Sequence, residues 1–526
     1  MRRHCEKISS WRFWLTYAFI AGVTIFIYYP SFFHLARSDQ LIYLGNTRSF
    51  HGWTDLVAGT YAYDRVPHRF EGFDAVLFRP LFFTLLGTEK FFFGYRFLAW
   101  QVTGVILHLL VVGCLLRLLW AMRPGWPAAV TALFFACLFV GMEMVIWHHV
   151  NGYLAFLICV LTCLYHLYRI TITGCVSFRQ LGWLTVLSGL AVFIYELGTV
   201  YACVFFIYLW LIQGKKRQDG PPRRWYGLIL LSVAFYCAWS GWDLAVRHLG
   251  VGQGRTVLEA FNLPSALSRA FWALAWMLYG GLMPAQLQTK LWQRTVFQAD
   301  YFRDWRQWGT GGIFSRWDLI LVAATLLGVF LLRVFNKTGG LRRRQWAFLT
   351  LLAVLLGIHG GGLVVARLDF YDLETFLSYN AYYAYYIWLY FVIIFYLWII
   401  SPLDSRNFKW RILAVGVTLL WMGHIGVNAR EVYQLNQRRA RRAAGRRFLL
   451  ANIERRRQEA RKKGEYFSFF MDPRLDMNLP WVKQARGGQK GSYTFFQVLY
   501  GEEFDPVNPR FLYKWSPQGP KIGQRY

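Results

Sequence analysis

The chain has 526 residues, of which 56% are hydrophobic and only 16% charged, and a mean hydropathy of +0.29. That is more apolar and less charged than a soluble globular domain. The net charge of +30 would ordinarily point to nucleic acid. Here the basic residues are spread over loops that flank apolar runs and over the C-terminal tail, where membrane orientation and anionic lipid account for them, so nucleic acid is not an expected partner.

Many apolar runs reach roughly 17 to 25 residues, enough to cross a hydrocarbon core of about 30 Å. The fold class expected is an all-α polytopic membrane protein with about 11 transmembrane helices. It would have a long first outer loop carrying interfacial helices and a small extramembrane α+β tail. Spans are assigned by apolar length and oriented by flanking Lys and Arg. Span one covers 11–29 and runs outward. Its basic start (Arg2, Arg3, Lys7, Arg12) precedes an apolar stretch too long for a signal peptide, so it is expected to be a retained helix. An outer loop, 30–94, follows. It contains "FRPLFFTLLGTEKFFFG", expected to lie along the interface. Spans two to six are read at 95–119, 126–142, 150–168, 181–195 and 198–213, the last two forming a hairpin around "YELG". The sixth ends in "GKKRQDGPPRR", the clearest cytoplasmic loop. Span seven is read at 225–243.

The region 244–316 reads as an outer loop. Its one apolar piece, Phe271–Pro284, is read as a re-entrant dip, because a full crossing would put the basic loop Asn336–Gln345 outside. Spans eight to eleven follow at 317–334, 346–366, 384–400 and 411–427, which closes a transmembrane domain over 1–427. Residues 428–463 carry 13 Lys and Arg against three acidic residues, a net +10. They read as a basic juxtamembrane helix on anionic headgroups, and as a surface for a protein partner. Residues 464–526 read as a small folded unit with short strands. The cysteines sit mostly inside apolar runs without a CxxC pair, so they are expected to be packing residues, with no disulfide.

Ionisable groups at span ends are functional hypotheses because burying them is costly. On the outer side the reading gathers Asp39, Arg79, Glu143, His148, His149, Glu196, Asp243, Arg247, Arg367, Asp369 and Asp372. Acids and bases from separate loops would then converge on one polar cavity. The alternatives are ordinary. Asp39 could be a solvated loop residue, Glu143 a cap paired with a histidine, and Arg79 a snorkelling side chain. His148 and His149, as sequence neighbours, point apart and make a poor joint metal site. His108, inside span two, reads as a satisfied core histidine. No P-loop, HExxH, GxSxG or dinucleotide fingerprint is present, and "HGGGL" (His359–Leu363) reads as helix-packing glycines.

Four segments carry a resemblance: "SDQLIYLGN", "LFRPLFFTLL…FFFGYRFLAWQVTGVILHLL", "FFACLFVGMEMVIWHHVNGYLAFLICVLTCLYHLYR" and "IYELGTVYACVFFIYLWL". In this order they resemble the GT-C superfamily of polytopic glycosyltransferases. The likeness is to the protein O-mannosyltransferase-like branch, including the membrane half of the tetratricopeptide-repeat enzymes and bacterial relatives. The resemblance covers roughly residues 11–213, with a fainter echo at "ARLDFYDLETF". The chain departs from it at Gln40, where a second acid is common, at Tyr195, where a lysine is common, and in lacking the repeats.

The resemblance implies an inverting transferase that moves a sugar from a polyprenyl-phosphate donor to an acceptor hydroxyl. The setting it implies is a multi-pass protein of a bacterial inner membrane, with the site facing the periplasm and membrane lipids around it. Asp39 is the candidate base. Arg79, Arg247 and Arg367 are candidates for the lipid phosphate, and His148, His149 and Glu196 for substrate contacts. Glu143 would orient the acceptor or hold a divalent ion with Asp39, the one metal site considered; no other cofactor is expected. Two other functions compete: a transporter or flippase of lipid-linked glycans, which would want charges at mid-bilayer depth, and a non-catalytic membrane subunit on a degenerate transferase fold.

Overall fold

The computed structural model describes residues 10–35, 40, 43–44, 47, 52–57, 79–195, 197–212, 343–368, 384–400, 408–471, 511–514 and 521–524. Among the described residues, three helical stretches are long and apolar enough to cross a membrane: Trp11–Phe33, Phe97–Met122 and Asn151–Thr173, of 23, 26 and 23 residues. At 1.5 Å per residue the shortest of these spans about 35 Å. They mark the chain as membrane-associated. Trp14, Phe19 and Phe26 stand exposed along the first stretch, as side chains facing lipid would.

The α-helices among the described residues are, in chain order, α1 (Ser10–Tyr28), α2 (Pro80–Phe93), α3 (Phe97–Met122), α4 (Trp126–Ala136) and α5 (Met142–Ile146). They continue with α6 (Asn151–Thr173), α7 (Phe178–Ile194), α8 (Leu197–Ile212), α9 (Arg343–Leu368), α10 (Ala384–Phe395) and α11 (Phe408–Lys462). Their ends follow local chemistry. Pro80 sits in the first turn of α2, where its missing N–H costs nothing. Gly94, at φ 51°, closes α2 and lets α3 begin almost at once. Ser177 and Gln180 form a reciprocal capping box at the start of α7.

The chain divides into two compact units. The first comprises Met1–Ile27, Val105–Val145 and Tyr153–Tyr433. Its centre is α10, "AYYIWLYFVIIF", with nine of its 12 residues buried. Tyr385 meets His108 of α3 at 2.8 Å, and Tyr390 donates to Tyr201 of α8 at 2.9 Å. Just beyond α10, in a π-helical turn, Tyr396 donates to the Arg123 carbonyl at 2.6 Å. Each hydroxyl thus finds an acceptor inside the bundle, which is what makes tyrosine tolerable there. The helices α7 and α8 pack as a hairpin so tight that a Cβ on Gly198 would fall on the Ala191 carbonyl, and 2.6 Å from the Val192 nitrogen.

The span expected over 126–142 is not one helix. The helix α4 ends at Ala136, a 3-10 turn covers Phe139–Gly141, and α5 follows. The break frees backbone amides, and the Phe139 N–H is taken up by Asn428 Oδ1 of α11 at 3.2 Å. Nearby, Phe134 stacks on Trp421 and packs on His424. A partner 289 positions away makes the break affordable.

The second unit comprises Tyr28–Gly104, Ile146–Gly152 and Gln434–Tyr526. In it α2 is packed on several sides. Tyr43 donates to the Leu86 carbonyl at 3.2 Å, and Gly87 leaves only 3.1 Å between a would-be Cβ and Val57. Phe82 fills the space that a Cβ on Gly152 would need. Phe91 and Phe92, near its end, stand exposed. The apolar stretch read at 411–427 and the basic stretch from 428 belong to one helix, α11, of 55 residues, about 80 Å long, and the change of unit falls within it, at Tyr433 and Gln434. Within this unit His34 contacts the Asn436 carbonyl at 2.9 Å and the Arg447 guanidinium lies over the Phe33 ring. Among the described residues, three short strands follow, β1 (Phe469–Met471), β2 (Phe511–Lys514) and β3 (Lys521–Gln524). The first pair is parallel and the second antiparallel. The expected seventh and eighth spans and the Phe271–Pro284 dip lie outside the described residues.

Candidate functional site

The sequence candidates fall into three groups. Asp39, Glu196 and Arg247, with Asp243, Asp369 and Asp372, lie outside the described residues. His149 and Arg367 are described in backbone only, His149 in a 3-10 turn and Arg367 in the last turn of α9. Arg79, Glu143 and His148 are described in full. Glu143 opens α5 in the first unit and is half-buried.

Arg79 and His148 belong to the second unit, and both are buried, at 7% and 1% exposure. Arg79 precedes Pro80 and places its guanidinium 5.8 Å from the centre of the Phe82 ring, in cation–π reach. His148 opens the 3-10 turn before α6, with its ring 6.1 Å from that of Trp100. Trp100 is held in turn by Phe93 edge-on and by its own indole N–H donating to the Gly94 carbonyl. Gln40, beside Asp39, is buried in the same unit.

The same unit holds a carboxyl that the sequence reading passed over. Glu89, on the inner face of α2, is only 4% exposed. Its Oε1 accepts from Asn151 Nδ2 at 2.9 Å, across 62 positions of chain. Phe82 and Glu89 are seven residues apart, two turns on one face of α2, and they meet the adjacent residues Gly152 and Asn151. The helix therefore runs past the N-terminal end of α6. Burial pushes the Glu89 carboxyl up to about 8, against a smaller opposing effect of the Asn151 hydrogen bond. Burial also draws the Lys90 ammonium down to about 8, and its Nζ sits 3.8 Å from the centre of the Tyr95 ring.

A signal for Glu89 does exist in the sequence. Glu89 and Lys90 are the only ionisable residues in "PLFFTLLGTEKFFF", and an ionisable pair in so apolar a helix calls for an explanation.

The first unit has its own buried polar groups. His108 is satisfied at both nitrogens, by the Tyr385 hydroxyl and by the Ala136 carbonyl at 3.2 Å. His359 contacts the Tyr201 hydroxyl at 2.9 Å and stacks on Tyr386. These link α3, α8, α9 and α10 and read as helix-packing contacts. Cys163 and Cys114 serve similarly, each a free thiol beside a hydroxyl, of Ser188 and Thr162. Among the described residues no three His, Cys, Asp or Glu side chains gather to hold a metal ion. The pairing of Asp39 with Glu143 lies outside that statement.

A scan against protein-family models finds no match. Searches of curated proteins and of solved structures find none either.

Proposed function

We propose that the chain is a membrane glycosyltransferase that moves a sugar from a polyprenyl-phosphate donor to an acceptor hydroxyl at the outer membrane face. The observation that carries this reading is the burial of Arg79 and His148, picked out from separate motifs, in one compact unit with Glu89. Buried ionisable groups on a membrane-associated chain are costly and mark function more often than packing. That Arg79 and His148 stand just before α2 and α6 rather than in mid-helix favours an interfacial site over a transport path.

In the proposed reaction Asp39 takes the proton of the acceptor hydroxyl as its oxygen attacks the anomeric carbon. The bond from that carbon to the lipid phosphate breaks, inverting the centre and releasing polyprenyl phosphate. Arg79 meets the developing phosphate charge. A fold like that of the GT-C superfamily, with about 11 spans and a multi-pass placement in an inner membrane, belongs to the same proposal.

The test is turnover of a panel of polyprenyl-phosphate sugars by the full chain in lipid nanodiscs, read as free polyprenyl phosphate. At least one donor is expected to turn over in the presence of a hydroxyl acceptor. A chain inert with every donor would be a non-catalytic subunit instead.

A further inference from the structure

Glu89 and Asn151 leave two atoms open. Among the described residues, Glu89 Oε2 and Asn151 Oδ1 are fully buried and have no hydrogen-bond partner, and Nε2 of buried Gln40 in the same unit is likewise unmatched. The Glu89–Asn151 hydrogen bond uses one atom of each residue and fixes the other two on the same pair. A buried polar atom without a partner costs about 1–3 kcal/mol, and most such atoms in folded proteins are satisfied. Something is therefore expected to meet them.

The chemistry of the open atoms narrows what that is. An anion gains nothing from two oxygens. A metal ion would want more oxygens than the pair supplies, and no third His, Cys, Asp or Glu joins them among the described residues. An apolar chain would leave both unsatisfied. A hydroxyl both donates and accepts, and so does a protonated carboxyl. Burial favours that protonated form for Glu89.

We infer that Glu89 and Asn151 form a subsite for the hydroxyls of a sugar ring, in the same unit as Arg79 and His148. This rests on the transferase reading and names the residues that would hold the sugar. The ring could belong to the donor lipid or to a sugar acceptor, and the chemistry of the subsite is the same for both.

The experiment measures binding to the full chain in nanodiscs, with three probes: polyprenyl phosphate, polyprenyl-phosphate mannose and methyl mannoside. The wild type is expected to bind the mannose-bearing lipid about tenfold tighter than the bare lipid, the worth of one or two well-made hydrogen bonds. Glu89→Leu removes that preference and leaves affinity for bare polyprenyl phosphate unchanged. Glu89→Gln, which still donates and accepts, keeps it. Where Glu89→Leu fails to fold, Asn151→Ala carries the same expectation. Methyl mannoside binding that is lost in Glu89→Leu, with no preference between the lipids, assigns the ring to the acceptor.

Retention of the lipid preference in both Glu89→Leu and Asn151→Ala overturns the subsite and leaves the transferase reading standing. Loss in Glu89→Gln as severe as in Glu89→Leu overturns it too, because a carboxyl would then be needed for proton transfer rather than for holding hydroxyls. A wild type that binds none of the three probes removes both.

Discussion

Glu89→Gln should reveal how strongly the second unit holds a neutral carboxyl. The substitution keeps the shape of the side chain and an oxygen for Asn151, and removes the titration. The folded-state value is raised from 4.5 to about 8 by burial, so between these limits the folded chain holds a proton that the unfolded chain has released. Stability from this group is therefore greatest at pH below 4.5, falls as pH rises toward 8 and levels off above. One pH unit inside the window is worth about 1.4 kcal/mol. From about pH 6 to about pH 8 the wild type should lose roughly 2 kcal/mol relative to Glu89→Gln.

At roughly 1–2 °C per kcal/mol for a chain of this length, thermal unfolding in detergent would show the gap widening by about 2–4 °C. Lys90 acts in the opposite sense. Its lowered value means that stability from it rises between about 8 and its unfolded value of 10.5, and it is present in both proteins, so the comparison cancels it. His148 is common to both as well. Parallel curves for the two proteins across the window would refute the buried, neutral Glu89.

Other expectations follow from single contacts. Tyr385→Phe removes one of the two partners of His108 and should cost about 1 kcal/mol in detergent unfolding, near the usual worth of a hydrogen bond inside a bundle; no change would mean that this contact does not hold α3 to α10. Gly198→Ala drives a methyl into the Ala191 carbonyl and should destabilise by more than a typical surface change, about 2 kcal/mol or more, read as a lower Tm; a neutral result would mean that the α7–α8 hairpin is looser than described. Arg79→Gln should lower kcat/KM for a lipid-phosphate donor by about 100-fold, with little change in Tm if its role is electrostatic; an equal fall in Tm would assign it to packing on Phe82.

Much of the helical framework was legible because long apolar runs leave few alternatives. The reading of 95–119 corresponds to Phe97–Met122, and that of 181–195 to Phe178–Ile194. The break after Ala136 was not legible, because a lone glycine such as Gly141 is common inside apolar spans; the freed Phe139 N–H is met by Asn428, supplied by a distant helix. The boundary at 427/428 followed composition and lies close to the change of unit at Tyr433 and Gln434, while nothing in "GHIGVNAREVYQLNQRRA" stops a helix, so α11 runs on through it. His108 was read as a satisfied core histidine from its place in an apolar run, and its two partners bear that out. For the site, motif order singled out Arg79 and His148 but missed Glu89. A Glu–Lys pair in sequence says nothing of which face is inward, and only the approach of Asn151 turns Glu89 into a buried group.

The central claim is a sugar transfer that depends on the aspartate of "SDQLIYLGN". The direct measurement is single-turnover release of polyprenyl phosphate from a polyprenyl-phosphate sugar by the wild-type chain and by Asp39→Asn, with donor binding measured alongside. The account predicts retained binding and a rate lower by about 10²- to 10⁴-fold, the usual worth of a general base. Equal release by the two proteins would contradict it.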